Sequence, residues 1–231
     1  MAVTIDGTNG ITTPPTLTLQ AGATTAAPLN FTAGTNLTTA IAGAMEYDGK
    51  VIYATPQGTQ RGVVPGAQFF RLNSDLAGAN ATGAQNTFGV GVTLSASTVY
   101  AFEALVVLTK TAGTTLHNIQ SGFGGTATLN GIQYTIHVVA GTTQPAYDTA
   151  MSGLSTNSAT ATNASTGINT ANNARAWCYK GTVSVNAGGT FIPQYTLSAA
   201  PGGAYTTNAG SYFLIYPIGA AGANTSVGAW A

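Results

Sequence analysis

Downstream of residue 66, apolar and polar side chains alternate in short runs, and nowhere is a helical period sustained. The clearest run is 98–109. There Tyr100, Phe102, Ala104, Val106 and Leu108 share one face, and Ala101, Glu103, Leu105 and Val107 share the other. Both faces are mostly apolar, which predicts a central strand. Runs at 68–72, 88–94, 126–129, 132–139 and 211–218 read as further strands. Residues 176–185 and 190–197 read as the two arms of a hairpin across Asn186-Ala187-Gly188-Gly189. Pro193 lacks a ladder donor and so predicts an edge or a bulge for the returning arm. Strands separated by Gly-rich and Asn-rich turns predict an all-β fold, an antiparallel sandwich of jelly-roll type.

The first 65 residues have a different pattern. From Thr8 to Thr39 the chain is Thr, Ala, Gly and Pro with scattered Ile11, Leu17, Leu19, Leu29, Phe31 and Leu37, and Pro14, Pro15 and Pro28 favour extended backbone. Such a segment cannot bury enough surface alone, so a partner or sister subunits are expected to order it. Asp48-Gly49 predicts a two-residue hairpin turn between short strands, and Thr55-Pro56-Gln57-Gly58 predicts another turn. The chain therefore divides into an attachment segment with a hairpin, 1–65, and a sandwich head, 66–231. Residues 140–174 are mostly Thr, Asn, Ser, Ala and Gly; they read as exposed loop with a single helical turn around 148–154.

Composition narrows the function. Asp, Glu, Lys and Arg make up 5% of the 231 residues, against about a quarter in a typical soluble domain. Six basic and six acidic side chains cancel, so the cationic excess that binds nucleic acid or anionic lipid is missing. A neutral, hydroxyl-rich surface suits symmetric assembly, because a charge beside a rotation axis would face its own copies. The N-terminus has neither the basic nor the apolar region of a secretory signal. The run 212–218 is too short to span a bilayer, and no membrane insertion is expected. Cys178 stands alone, which excludes an intrachain disulfide; between Trp177 and Tyr179 it reads as a small buried strand residue.

Catalytic chemistry finds little support. His117 and His137 have few carboxylates to join them in a metal site and read as exposed or hydrogen-bonded imidazoles. Glu46 and Asp48 flank Tyr47 and point the same way on a strand, the arrangement a glycosidase would need, but turn geometry accounts for Asp48. Gly122-Phe123-Gly124-Gly125 precedes a strand and reads as a turn, not a phosphate cradle. No catalytic residue, cofactor or metal is expected. Glu103, inside an apolar strand, calls for a cation partner, a subunit contact or solvent at the sheet surface. Among the aromatic residues, Tyr147 and Tyr205 lie in predicted loops and are the candidate ligand contacts, able to stack on a sugar face while Asn, Gln and Thr neighbours bond its hydroxyls.

The run 35–53, containing Gly43-Ala44-Met45-Glu46-Tyr47-Asp48-Gly49 and leading to Arg61-Gly62-Val63, resembles a segment recurrent in tail-fibre and related virion proteins of bacteriophages. Residues 180–195, 209–213 and 228–231 are similar to the terminal sandwich of such proteins, an architecture like that of tumour-necrosis-factor-like trimers. The resemblance implies a non-enzymatic homotrimer on the virion. Its N-terminal segment would dock to other virion proteins of tail or capsid, and its head would face outward, with a host-surface glycan as a further partner. The chain has no shaft repeats or heptads, so a short fibre fits best. A capsid decoration or cement protein is the alternative, followed by a depolymerising tailspike.

Overall fold

The computed structural model describes residues 18–140, 151–222, 224, 225, 227 and 228. After an extended arm comes a small antiparallel sheet: β1 (Met45–Tyr47), β2 (Ile52–Ala54) and β3 (Gly62–Val64), in that order. The predicted hairpin is present but its loop is longer. Tyr47 lies opposite Ile52, so the loop is 48–51. Asp48 closes it by accepting from the N–H groups of Lys50 and Val51 at 2.8 Å each, while Gly49 takes a φ of +89°.

The head is an antiparallel β-sandwich. Its strands are β4 (Gln68–Arg71), β5 (Leu76–Ala77), β6 (Gly83–Asn86), β7 (Val92–Leu94), β8 (Thr98–Lys110), β9 (His117–Gly124), β10 (Thr128–Ala140), β11 (Met151–Thr156), β12 (Thr162–Ile168), β13 (Asn173–Ala187), β14 (Gly189–Leu197), β15 (Thr206–Thr207) and β16 (Tyr212–Ala220). One sheet runs β11-β10-β13-β8; the far edge of β8 is then shared by β16, flanked by β4, and by β15, flanked by β5. The other runs β12-β9-β14, with β6 and β7 sharing the far edge of β14. No described residue is helical, so the all-β expectation of an extended segment with a hairpin followed by a jelly-roll-like sandwich holds.

Alternation along β8 places the core. Tyr100, Phe102, Ala104, Val106 and Leu108 are buried, whereas Ala101, Glu103, Leu105 and Val107 are only half-buried. The strand is central in its sheet, as expected, and the second sheet covers one of its faces. Glu103 stands on the open face opposite Lys180. Cys178 shares that face of the sheet and is exposed, not buried, because Trp177 and Tyr179 take the inward positions of β13.

Three further expectations are corrected. Residues 176–185 and 190–197 do not pair: β13 lies between β8 and β10, while β14 lies in the opposite sheet beside β9. The Gly188-Gly189 step is a corner between sheets, and a Cβ on Gly189 would sit 2.6 Å from the backbone nitrogen of Ala127. Nor is β14 an edge strand. Pro193 is tolerated because β6 pairs with 194–197 and β7 with 189–191, so its missing N–H faces the gap between them, where its carbonyl accepts from Thr87 N–H at 2.9 Å. Finally, 151–156 and 162–168 are strands, not loop or helical turn. These are the outermost strands of their sheets, and outermost strands carry few apolar residues; the rest of the predicted helical turn, 148–150, lies outside the described residues.

Candidate functional site

Two uncovered apolar surfaces dominate the described residues. The first is the arm. No residue from 7 to 45 is charged, and Leu29 and Ile41 are 57% and 61% exposed, with Leu19, Leu37 and Met45 also in solvent. Its C-terminal half rests on the small sheet. Gly34 N–H donates to Tyr47 O at 2.9 Å, Leu37 N–H donates to Glu46 Oε1 at 2.6 Å, and Arg61 Nη2 donates to Leu37 O at 2.7 Å. Upstream of Gly34 the described arm forms no regular strand, only a tight turn closed by the Ala23–Ala26 bridge.

Arg61 and Glu46 hold this half-arm in place. The guanidinium grips the carboxylate at 2.7 Å through Nε and 3.1 Å through Nη2, and that hydrogen bonding, with the Leu37 N–H, holds Glu46 below its ordinary value. Burial pushes Asp48 up, but the N–H groups of Val51 and Lys50 and the Tyr53 hydroxyl outweigh it, leaving Asp48 below its ordinary value too. Each acid is thus committed to its own partners, Glu46 to Arg61 and Leu37 and Asp48 to its turn and Tyr53. The small sheet touches the head through Lys50, whose Nζ donates to Ala96 O at 3.1 Å.

The second surface is a cleft of about 290 Å³ at one side of the sandwich, between β4 with β16 and β7 with β14. Its floor is Phe88, Phe213 and Ile215, all buried; its rim is Phe69, Phe70 and Val90, exposed by 58%, 39% and 46%. None of the described lining residues is charged. Ladder register explains the pair of phenylalanines: Phe70 lies opposite the core residue Phe213 and turns inward onto Phe88, so Phe69 must turn outward, where it stacks on Tyr212 at 5.5 Å. Sequence reasoning missed this surface, although adjacent phenylalanines on a strand already signal that one faces away from the core. The outer edge of β4 has no strand partner among the described residues.

The residues singled out for ligand contact fare differently. Tyr147 lies outside the described residues. Tyr205 is fully buried, so its expected role as an exposed sugar platform is corrected. Its hydroxyl meets His117 Nε2 at 2.9 Å, while His117 Nδ1 donates to Thr115 O at 2.7 Å. Above the ring, 5.9 Å from its centroid, lies the Lys110 ammonium. Lys110 is itself buried with no carboxylate partner among the described residues: its Nζ donates to Gly113 O at 2.6 Å, Ala112 O at 3.2 Å and Ala171 O at 3.4 Å, and also to Thr170 O. Burial lowers its pKa, and burial raises that of Tyr205. The cluster ties the loop after β8 to the loop before β13 as a structural staple. Replacing Lys110 with Met leaves these carbonyls without their donor; a loss of about 3 kcal/mol in unfolding free energy is expected, read by urea titration. A loss under about 0.5 kcal/mol would contradict the staple.

His137 is exposed on β10. Among the described residues, no group of His, Cys, Asp and Glu is arranged to hold a metal, and no helix is long and apolar enough to cross a membrane. What fold and surface define together is an antiparallel β-sandwich protein with an uncharged, uncovered arm and an aromatic cleft. No protein-family model matches the chain, and no curated protein matches it. A solved structure titled "Structure of infectious bursal disease virus Gx strain" aligns at 7% identity and a TM-score of 0.20, over 75% of this chain and 44% of that one. The chain thus spans less than half of that structure's chain, and so faint a likeness carries no argument.

Proposed function

We propose that this is a non-enzymatic structural protein of a virion, a short homotrimeric fibre whose N-terminal segment, 1–65, joins the particle and whose β-sandwich head, 66–231, faces outward. The observation that carries the reading is the arm. It is extended and uncharged, and it leaves leucine and isoleucine side chains in water that its own head does not cover. Such a segment gains stability only when another surface receives it. The commitment of Glu46 to Arg61 and of Asp48 to its turn favours the non-enzymatic reading over a depolymerising tailspike.

A second reading, a capsid decoration or cement protein, is favoured by the burial of Tyr205, which removes a proposed glycan contact and leaves the outward head with less reason to recognise a receptor. Both readings predict incorporation into particles through the arm. Full-length chain should band with virus particles in a density gradient, and a chain lacking residues 1–28 should remain in the soluble fraction. Full-length chain that never bands with particles would contradict both; antibody labelling of tail or head separates them.

A further inference from the structure

From the arm and the cleft we infer that residues 29–33 of one copy add as a strand to the free edge of β4 in a second copy, inserting Leu29 and Phe31 between the rims of the aromatic cleft. This rests on the self-assembly in the reading above and assigns it a site.

The segment Leu29-Asn30-Phe31-Thr32-Ala33 alternates apolar and polar residues, bounded by Pro28 and Gly34. That is the pattern of a strand with one apolar face. Yet it pairs with no strand among the described residues, and Leu29 points into solvent. The same chain offers the complement: β4 has an unpaired outer edge, and beside it lies an uncharged cleft with exposed Phe69, Phe70 and Val90. Open edges of this kind accept an extended segment through main-chain hydrogen bonds, with pockets taking alternate side chains. Donor and acceptor also match in charge, since neither carries any and neither would strand an ion on burial. The partner is a second copy because the donor stays off its own cleft. The bonds from Gly34 and Leu37 fix its C-terminal end on the small sheet, and no described arm residue lines the cleft.

The test uses full-length chains carrying Cys178→Ala to remove the exposed native thiol. Chains with Leu29→Cys are co-expressed with differently tagged chains carrying Val90→Cys, both exposed positions. Diamide then oxidises the two thiols to one disulfide, taking up the two electrons and two protons. A mixed disulfide should form at least about tenfold faster than with Leu116→Cys as partner, because docking raises the effective thiol concentration; Leu116 is exposed beyond the other end of β9 from the cleft. If the chains sediment as oligomers but link no faster than the control, the arm–cleft contact is wrong while self-assembly stands. Monomers with no mixed disulfide would sink both. A chain carrying both substitutions that links only to itself would show the arm closing on its own head, and would overturn the inference.

Discussion

Phe102→Ala is expected to cost the head about 3–5 kcal/mol of unfolding free energy, the range for truncating a packed aromatic side chain. Phe102 is the hub of the core. Its ring lies 5.3 Å from Phe123, 5.9 Å from Phe213, 6.0 Å from Tyr134 and 6.1 Å from Phe191, so it joins β8 to β9, β10, β14 and β16 across both sheets. The surrounding rings belong to long strands paired on both sides, which limits their collapse into the space left behind. A urea titration followed by tryptophan emission from the buried Trp177 reads the loss. A change below about 1 kcal/mol would mean that the rings do not form one core.

Alkali is expected to unfold the head in a window that follows from its buried tyrosines. Burial pushes the Tyr134 and Tyr195 hydroxyls from 10.0 up to about 12, and Tyr179 and Tyr205 are raised as well, also by burial. An unfolded chain loses these protons near pH 10, while the folded chain keeps them. Their contribution is therefore complete below the unfolded value and is lost as pH rises through 10 toward about 12. Tyrosinate absorbance should rise together with loss of near-ultraviolet circular dichroism, in one cooperative step. Tyr134→Phe should move that step to higher pH, because the Tyr134 hydroxyl is buried without a hydrogen-bond partner and its removal orphans nothing. Titration of Tyr134, Tyr179, Tyr195 and Tyr205 near pH 10 with the structure intact would contradict the burial.

Acid acts at the other end of the molecule. Glu46 and Asp48 are held below their ordinary values, so the stability they lend is present above those values and is lost as pH falls through the depressed ones. Glu46 lies on β1 and Asp48 in the hairpin loop that follows it, and Glu46 is the acceptor for the arm's Leu37 N–H.

What the sequence made legible was local. The strand 98–109 and the division of its side chains between two faces could be read from alternation alone, though not which face turns to the core, and so could the Asp48 turn, whose closure depends on the side chain of Asp48 itself. What escaped depends on distant partners. Pairing of 176–185 with 190–197 looked secure because a Gly-Gly step between strands serves a hairpin and a sheet-to-sheet corner equally well. Nothing within those residues says that β8 and β10 claim both edges of β13. Tyr205 follows Gly202-Gly203-Ala204 and so looked like a loop residue facing solvent; its burial is fixed by His117, 88 residues away. The strands β11 and β12 were hidden by Thr-, Ser- and Asn-rich composition, which outermost strands share with loops. That the described arm upstream of Gly34 forms no regular strand agrees with its Thr-, Gly- and Pro-rich sequence, whereas the cleft was not legible, because it arises where strands from two sheets fail to close over Phe88 and Phe213.

Sedimentation velocity of the full-length chain, compared with a chain beginning at Gly34, tests the central claim most directly: the arm is covered by another copy, not by its own head. The account predicts a stable assembly of three full-length chains at micromolar concentration and a weaker association, or none, once residues 1–33 are gone. A full-length chain that sediments as a compact single copy over the same range would contradict it.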